Sequence, residues 1–150
     1  MKRIISILIL FFVISTKSQS IRQIDSPNND WKLSEEKPKT NINELDSKNF
    51  FSAKNLRFIE QDGQTVLVTH DSDLWLEKYE DRTSSKFELK KTSDSTFVLK
   101  FIESNNKNRD NLSIKGQEYK YGIYGKGQNY YSVWVLSEEG KYYLFKIYLD

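Results

Sequence analysis

The chain has 150 residues, with 23 Lys and Arg against 21 Asp and Glu, and it contains no cysteine. The length sets it at one ordinary domain, large enough to bury roughly two thirds of its extended-chain surface in a core. The missing cysteines exclude disulfides and an acyl anchor on a lipid-modified cysteine, so side-chain packing has to hold the fold.

Residues 2–20 read as a secretory leader. Lys2 and Arg3 precede an apolar run from Ile4 to Ile14, and the chain turns polar and small through Ser15 to Ser20. Eleven residues are too few for the roughly 20 that cross a bilayer as a helix. Cleavage is expected near Ser20, which makes the mature protein periplasmic or secreted and free of a membrane anchor. Loss of Lys2, Arg3 and Lys17 leaves 20 basic against 21 acidic residues, a net of −1. General nucleic-acid binding then loses its electrostatic basis.

Residues 21–49 form a polar N-terminal segment, read as a mobile arm over 21–29. Trp31-Lys32-Leu33 alternates as a short strand, and Asn41 with Glu44 resembles a helix cap, predicting a short helix over 42–47. From residue 50 to 150 a β domain is expected, because apolar residues recur with a period of two. Strands are predicted over Leu56–Glu60, Thr65–Thr69, Leu74–Tyr79, Lys86–Lys90, Thr96–Ile102, Tyr119–Tyr124, Tyr130–Leu136 and Lys141–Leu149. Asp62-Gly63, Thr92 to Ser95, Gly125 to Gln128 and Ser137 to Gly140 supply turns, and Asn105 to Asn111 a solvated loop. The fold class is all-β: an antiparallel meander of about eight strands, closed as a barrel or folded as a sandwich, with at most one short N-terminal helix.

Chemistry-bearing motifs are scarce. Gly122 to Gly127 has the glycines of a phosphate loop but neither its Gly-Lys-Ser/Thr ending nor a following helix. His70-Asp71-Ser72-Asp73 fails the EF-hand template, with Leu76 where Gly belongs and Arg82 where the acid belongs. His70, the only histidine, reads as a surface residue. Residues 60–81 hold seven acids against Lys78 alone, and residues 82–126 hold ten bases against five acids, which suggests charge complementarity between neighbouring strands. No metal, cofactor or catalytic residue is assigned.

The strongest signal is aromatic. Of the 21 aromatics, 19 remain after Phe11 and Phe12 leave with the leader, and ten of these lie between Tyr119 and Tyr148. Tyr and Trp combine apolar area with a polar tip and suit binding surfaces. Tyr119, Tyr121, Ile123, Trp134, Tyr142 and Tyr148 are the candidate ligand- or partner-binding residues. Tyr121, Ile123 and Trp134 are expected to enclose a cavity; alternatively Tyr142 and Tyr148 present an outer patch.

Trp31, near the mature N-terminus, resembles the first-strand Trp of lipocalin-like barrels, although Asn29 stands where that family has Gly. The likeness is one of architecture. The expected function is an exported non-catalytic domain that binds a small apolar or amphipathic ligand. The first alternative is a protein-interaction module, such as an inhibitor or immunity-type protein of the cell envelope. The second is a hydrolase using His70.

Overall fold

A meander whose strands each bury one face can satisfy both of its edges by closing on itself. This chain does so. The computed structural model describes residues 21–23, 30–110 and 113–150. The predicted leader, residues 1–20, and residues 24–29 of the predicted arm lie outside the described residues.

The N-terminal part contributes a short ribbon, β1 (Ile21–Gln23) paired with β2 (Lys32–Ser34), and a helix, α1 (Glu44–Ser52). Ile21–Gln23, read from the sequence as the start of an arm, is thus a paired strand. Eight strands follow: β3 (Asn55–Ile59), β4 (Thr65–His70), β5 (Leu74–Lys78), β6 (Ser84–Lys91), β7 (Thr96–Ser104), β8 (Glu118–Lys126), β9 (Tyr130–Leu136) and β10 (Tyr142–Leu149). Each pairs antiparallel with the next, and β10 pairs back onto β3, so the sheet is a closed up-and-down barrel. This resolves the choice between barrel and sandwich.

Alternation assigns the faces. Val66 and Val68, Leu89, Phe97 with Leu99 and Phe101, Ile123, Tyr131 with Val133, and Ile147 all point inward and are buried. Gly63 and Gly140 take φ of 90° and 80° in the turns after β3 and β9, a conformation that a side chain would strain.

The two ends of the barrel differ. At one end α1 lies across the opening. Its capping box is Asn43 with Asp46: the Asp46 amide donates to Asn43 Oδ1 (2.8 Å) and the Asn43 amide to Asp46 Oδ2 (3.4 Å). The helix therefore starts two residues later than the Asn41–Glu44 pairing implied, and it runs on to Ser52. In this register Phe50 faces the barrel and is fully buried, packing edge-on against Tyr131 and tilted against Phe97. Ser47, also fully buried, donates to the carbonyl of Asp94 in the β6–β7 turn. Lys126 at the end of β8 bridges to Asp46 (2.7 Å). At the other end lie the β3–β4, β5–β6 and β9–β10 turns and the β7–β8 loop. That loop, predicted to be solvated, contains among its described residues a helical turn, α2 (Lys107–Asp110).

The seam between β10 and β3 is short. Tyr148 and Leu149 pair with Arg57 and Leu56, whereas Tyr142, Tyr143 and Leu144 pair with β2. Trp31, just before β2, bridges the divergence: its indole N–H donates to the Ile59 carbonyl (2.6 Å), and its ring stacks on Phe145 (4.5 Å, 7°).

If α1 is a plug held mainly by Phe50, Phe50→Ala should cost about 3–5 kcal/mol, the usual penalty for emptying a phenylalanine site. Urea unfolding of the variant checks this. A loss under about 1 kcal/mol would show that the helix rests on the barrel without closing it.

Candidate functional site

The inward stripe of β5 is Trp75 and Glu77, continued by Tyr79 just past the end of the strand. Period two places a carboxylate between two aromatics on a face that should be apolar. Glu77 is buried at 6 % exposure. Its Oε1 accepts from the Trp75 indole N–H (3.1 Å) and its Oε2 from the Tyr79 hydroxyl (2.7 Å). Both donors are neutral. Burial pushes the Glu77 carboxyl above its ordinary value, against the opposing effect of these two bonds and of Arg109.

Glu77 lies on a cavity of about 200 Å³ in the half of the barrel away from α1. Among the described residues thirteen line it and seven of these are aromatic: Trp31, Phe58, Trp75, Phe87, Tyr119, Tyr121 and Phe145, contributed by five strands and the segment before β2. The rings hold one another in place. Tyr121 stacks on Phe97 (5.1 Å, 7°), Phe87 meets Phe101 edge-on, and Phe58 meets Phe145 edge-on. Burial, and next the Glu77 charge, raise the Tyr121 hydroxyl above its ordinary pKa. The Tyr79 hydroxyl is raised for the same two reasons.

The cavity opens toward a vestibule of about 450 Å³ formed by the β3–β4 and β5–β6 turns and the β7–β8 loop. Trp31, Glu60 and Arg109 line both spaces and so define the neck between them. There Arg109 pairs with Glu60, and its guanidinium lies 3.9 Å from the centre of the Tyr79 ring. Glu60 belongs to the acidic stretch 60–81 and Arg109 to the basic stretch 82–126, but the pair joins the β3–β4 turn to the β7–β8 loop rather than the neighbouring strands expected from the sequence. Ser113 closes one side through its hydrogen bond with the Tyr119 hydroxyl (2.9 Å).

Among the predicted binding residues, Tyr119 and Tyr121 line the cavity. Ile123 sits deeper on the same stripe of β8, fully buried in the packed half. Trp134 does not line the cavity. It occupies the outer wall, lying over Gly122, where a Cβ would collide with the indole ring. Tyr142 and Tyr148 are also on the outer wall. Tyr142 meets Trp134 edge-on, and the Tyr148 hydroxyl donates to Asp30 (2.7 Å) beside Lys146. Trp134 is only 5 % exposed, with the Lys37 ammonium 5.1 Å above its ring.

His70 is not a surface residue. It is half-buried at the α1 end, its ring stacked against Trp75 (5.4 Å) and Phe50 (6.4 Å). Burial lowers its pKa, outweighing the carbonyls of Asp71, Phe50 and Ala53 that favour the charged ring. No group of three or more metal-ligating side chains gathers among the described residues, at His70-Asp71-Ser72-Asp73 or elsewhere. Among them, too, no helix is long and apolar enough to cross a membrane.

Trp31, Glu60, Glu77, Tyr79 and Arg109 were not singled out as site residues from the sequence. Trp31 was noted there only for its likeness to a lipocalin first-strand Trp, and Glu77 left a trace by standing in phase with Trp75 and Tyr79. Compared with protein-family models, curated proteins and solved structures, the chain matches none.

A carboxyl whose pKa is raised on folding stabilises the fold below its unfolded value, here 4.5, and that contribution is lost as pH rises through the folded pKa. Glu77→Gln keeps an acceptor for Trp75 and a polar partner for Tyr79. The variant should therefore lose less stability than the parent between pH 5 and 8, measured as the urea midpoint at each pH. Parallel curves would show that Glu77 carries no burial penalty.

Proposed function

We propose that the protein is a non-catalytic binding domain that takes a small amphipathic ligand into the barrel through the Glu60–Arg109 neck. The observation that carries this reading is the division of the barrel interior. The α1 half is filled by Phe50, Phe97, Leu99, Ile123 and Val133, while the other half encloses a cavity walled by aromatic rings and floored by few polar groups. Apolar concave sites with a small number of placed polar groups are the usual form of small-ligand sites. The packing supports pre-organisation, since stacked and edge-on pairs fix the lining rings before anything enters.

The predicted leader supports a place of action outside the cytoplasm, periplasmic or secreted. The reading as a partner-binding module draws on the outer aromatics. Trp134 and Tyr148 make their contacts with Lys37, Tyr142 and Asp30 of the same chain, which favours the cavity over the outer wall. The hydrolase reading draws on His70, whose ring is packed against two aromatics at the plugged end.

Hexan-1-ol serves as a neutral amphipathic probe. Titration followed by calorimetry should give saturable one-site binding, and Val135→Phe, which places a larger side chain on the cavity wall, should weaken it at least tenfold while the thermal transition remains cooperative. Binding unaffected by Val135→Phe, or no binding at all, would count against a ligand site inside the barrel.

A further inference from the structure

We infer that the ligand taken into this barrel carries an organic cation, an alkylammonium group, which the cavity holds between its aromatic faces and the Glu77 carboxylate. The inference rests on the binding reading above and specifies its chemistry.

Three observations converge. The first is the position of Glu77. It is the most deeply buried acid among the described residues and lies on the cavity wall rather than in a closed ion pair. Its hydrogen bonds come from an indole and a phenol, which orient the carboxylate without neutralising it. A buried acid held in this way is strongly stabilised by a positive charge brought beside it.

The second is the composition of the wall. Ring faces attract cations through their quadrupole, most strongly for Trp and then Tyr, and more so away from water. Trp31, Trp75 and Tyr121 stand around the same space as Glu77. A cage of rings with one carboxylate selects an alkylated ammonium over a metal ion, because the rings replace water around its carbon atoms but supply no hard oxygen ligands.

The third is the allocation of charge at the neck. Among the described residues Arg109 is the one cation that lines the cavity, and it is engaged by Glu60 and by the face of Tyr79. An anionic ligand would have to separate that pair and then approach Glu77. A cationic ligand meets Glu60 on entry and Glu77 within, both of the opposite sign, and leaves the Arg109 pair intact. Size sets the remaining limit, since about 200 Å³ admits a short chain or a compact alkylated head, not a long lipid.

The experiment compares three probes that share one chain and differ only in the head: hexylammonium, hexan-1-ol and hexanoate, each titrated at pH 7.5 into the full chain by calorimetry. Hexylammonium should bind at least tenfold more tightly than hexan-1-ol, and hexanoate more weakly than either. Glu77→Gln should remove the preference for hexylammonium over hexan-1-ol; the order of the three probes on the parent protein tests the proposal even if that variant does not fold. Equal affinity for hexylammonium and hexan-1-ol, or a preference for hexanoate, overturns the cation and leaves the cavity reading standing. Absence of binding by all three probes overturns both.

Discussion

The structure turns on how β10 divides its outer edge. One edge pairs with β9 along seven positions, but the other goes to β3 for two residues and to β2 for three. A barrel needs this edge closed, because unpaired amides and carbonyls are costly when buried and promote association when exposed. Sharing β10 closes it while keeping β3 and the first half of β10 apart. Trp31 spans the divergence, bonded to the carbonyl of Ile59 on one side and stacked on Phe145 on the other. Trp31, Phe58 and Phe145 at this divergence line the cavity, while α1 and Phe50 fill the opposite end.

An acid inside this wall opposes stability. Burying a carboxylate is unfavourable unless charge or hydrogen bonds compensate, and the two neutral donors compensate only in part. Leu or Met at position 77 would satisfy the inward stripe of β5 without that penalty. Groups kept in such positions despite their cost tend to mark sites where a protein meets something else. His70 makes a contrast: its burial also shifts its pKa, yet its ring is packed between Phe50 and Trp75 and away from the neck, as expected of a residue that seats the helix.

Much of the barrel was legible because period-two patterning is local. Phe97, Leu99 and Phe101 alternate with polar or smaller residues, and Gly63 and Gly140 mark turns that need positive φ. The helix was legible in kind but not in register, since Asn41 and Asn43 each have an acid three residues on and only the docking of Phe50 decides between them. Trp134 was misplaced because both faces of β9 are largely apolar, so periodicity could not choose one; the informative signal was Gly122 on the neighbouring strand, whose missing Cβ makes room for the indole. Tyr119 and Tyr121 on the cavity wall were legible as candidates, but the rest of its lining and its neck were not. These depend on β10 changing partners and on Arg109 reaching Glu60 across 49 residues, contacts that no local pattern encodes.

The three tryptophans report directly on where a ligand sits, since Trp31 and Trp75 face the cavity and Trp134 lies on the outer wall. Their indole N–H resonances, followed by ¹H–¹⁵N correlation spectra during titration with hexylammonium, separate the two surfaces in one measurement. Ligand binding inside the barrel should give saturable shifts of the Trp31 and Trp75 signals with the Trp134 signal unmoved. A shift confined to Trp134 would place binding on the outer wall and contradict it.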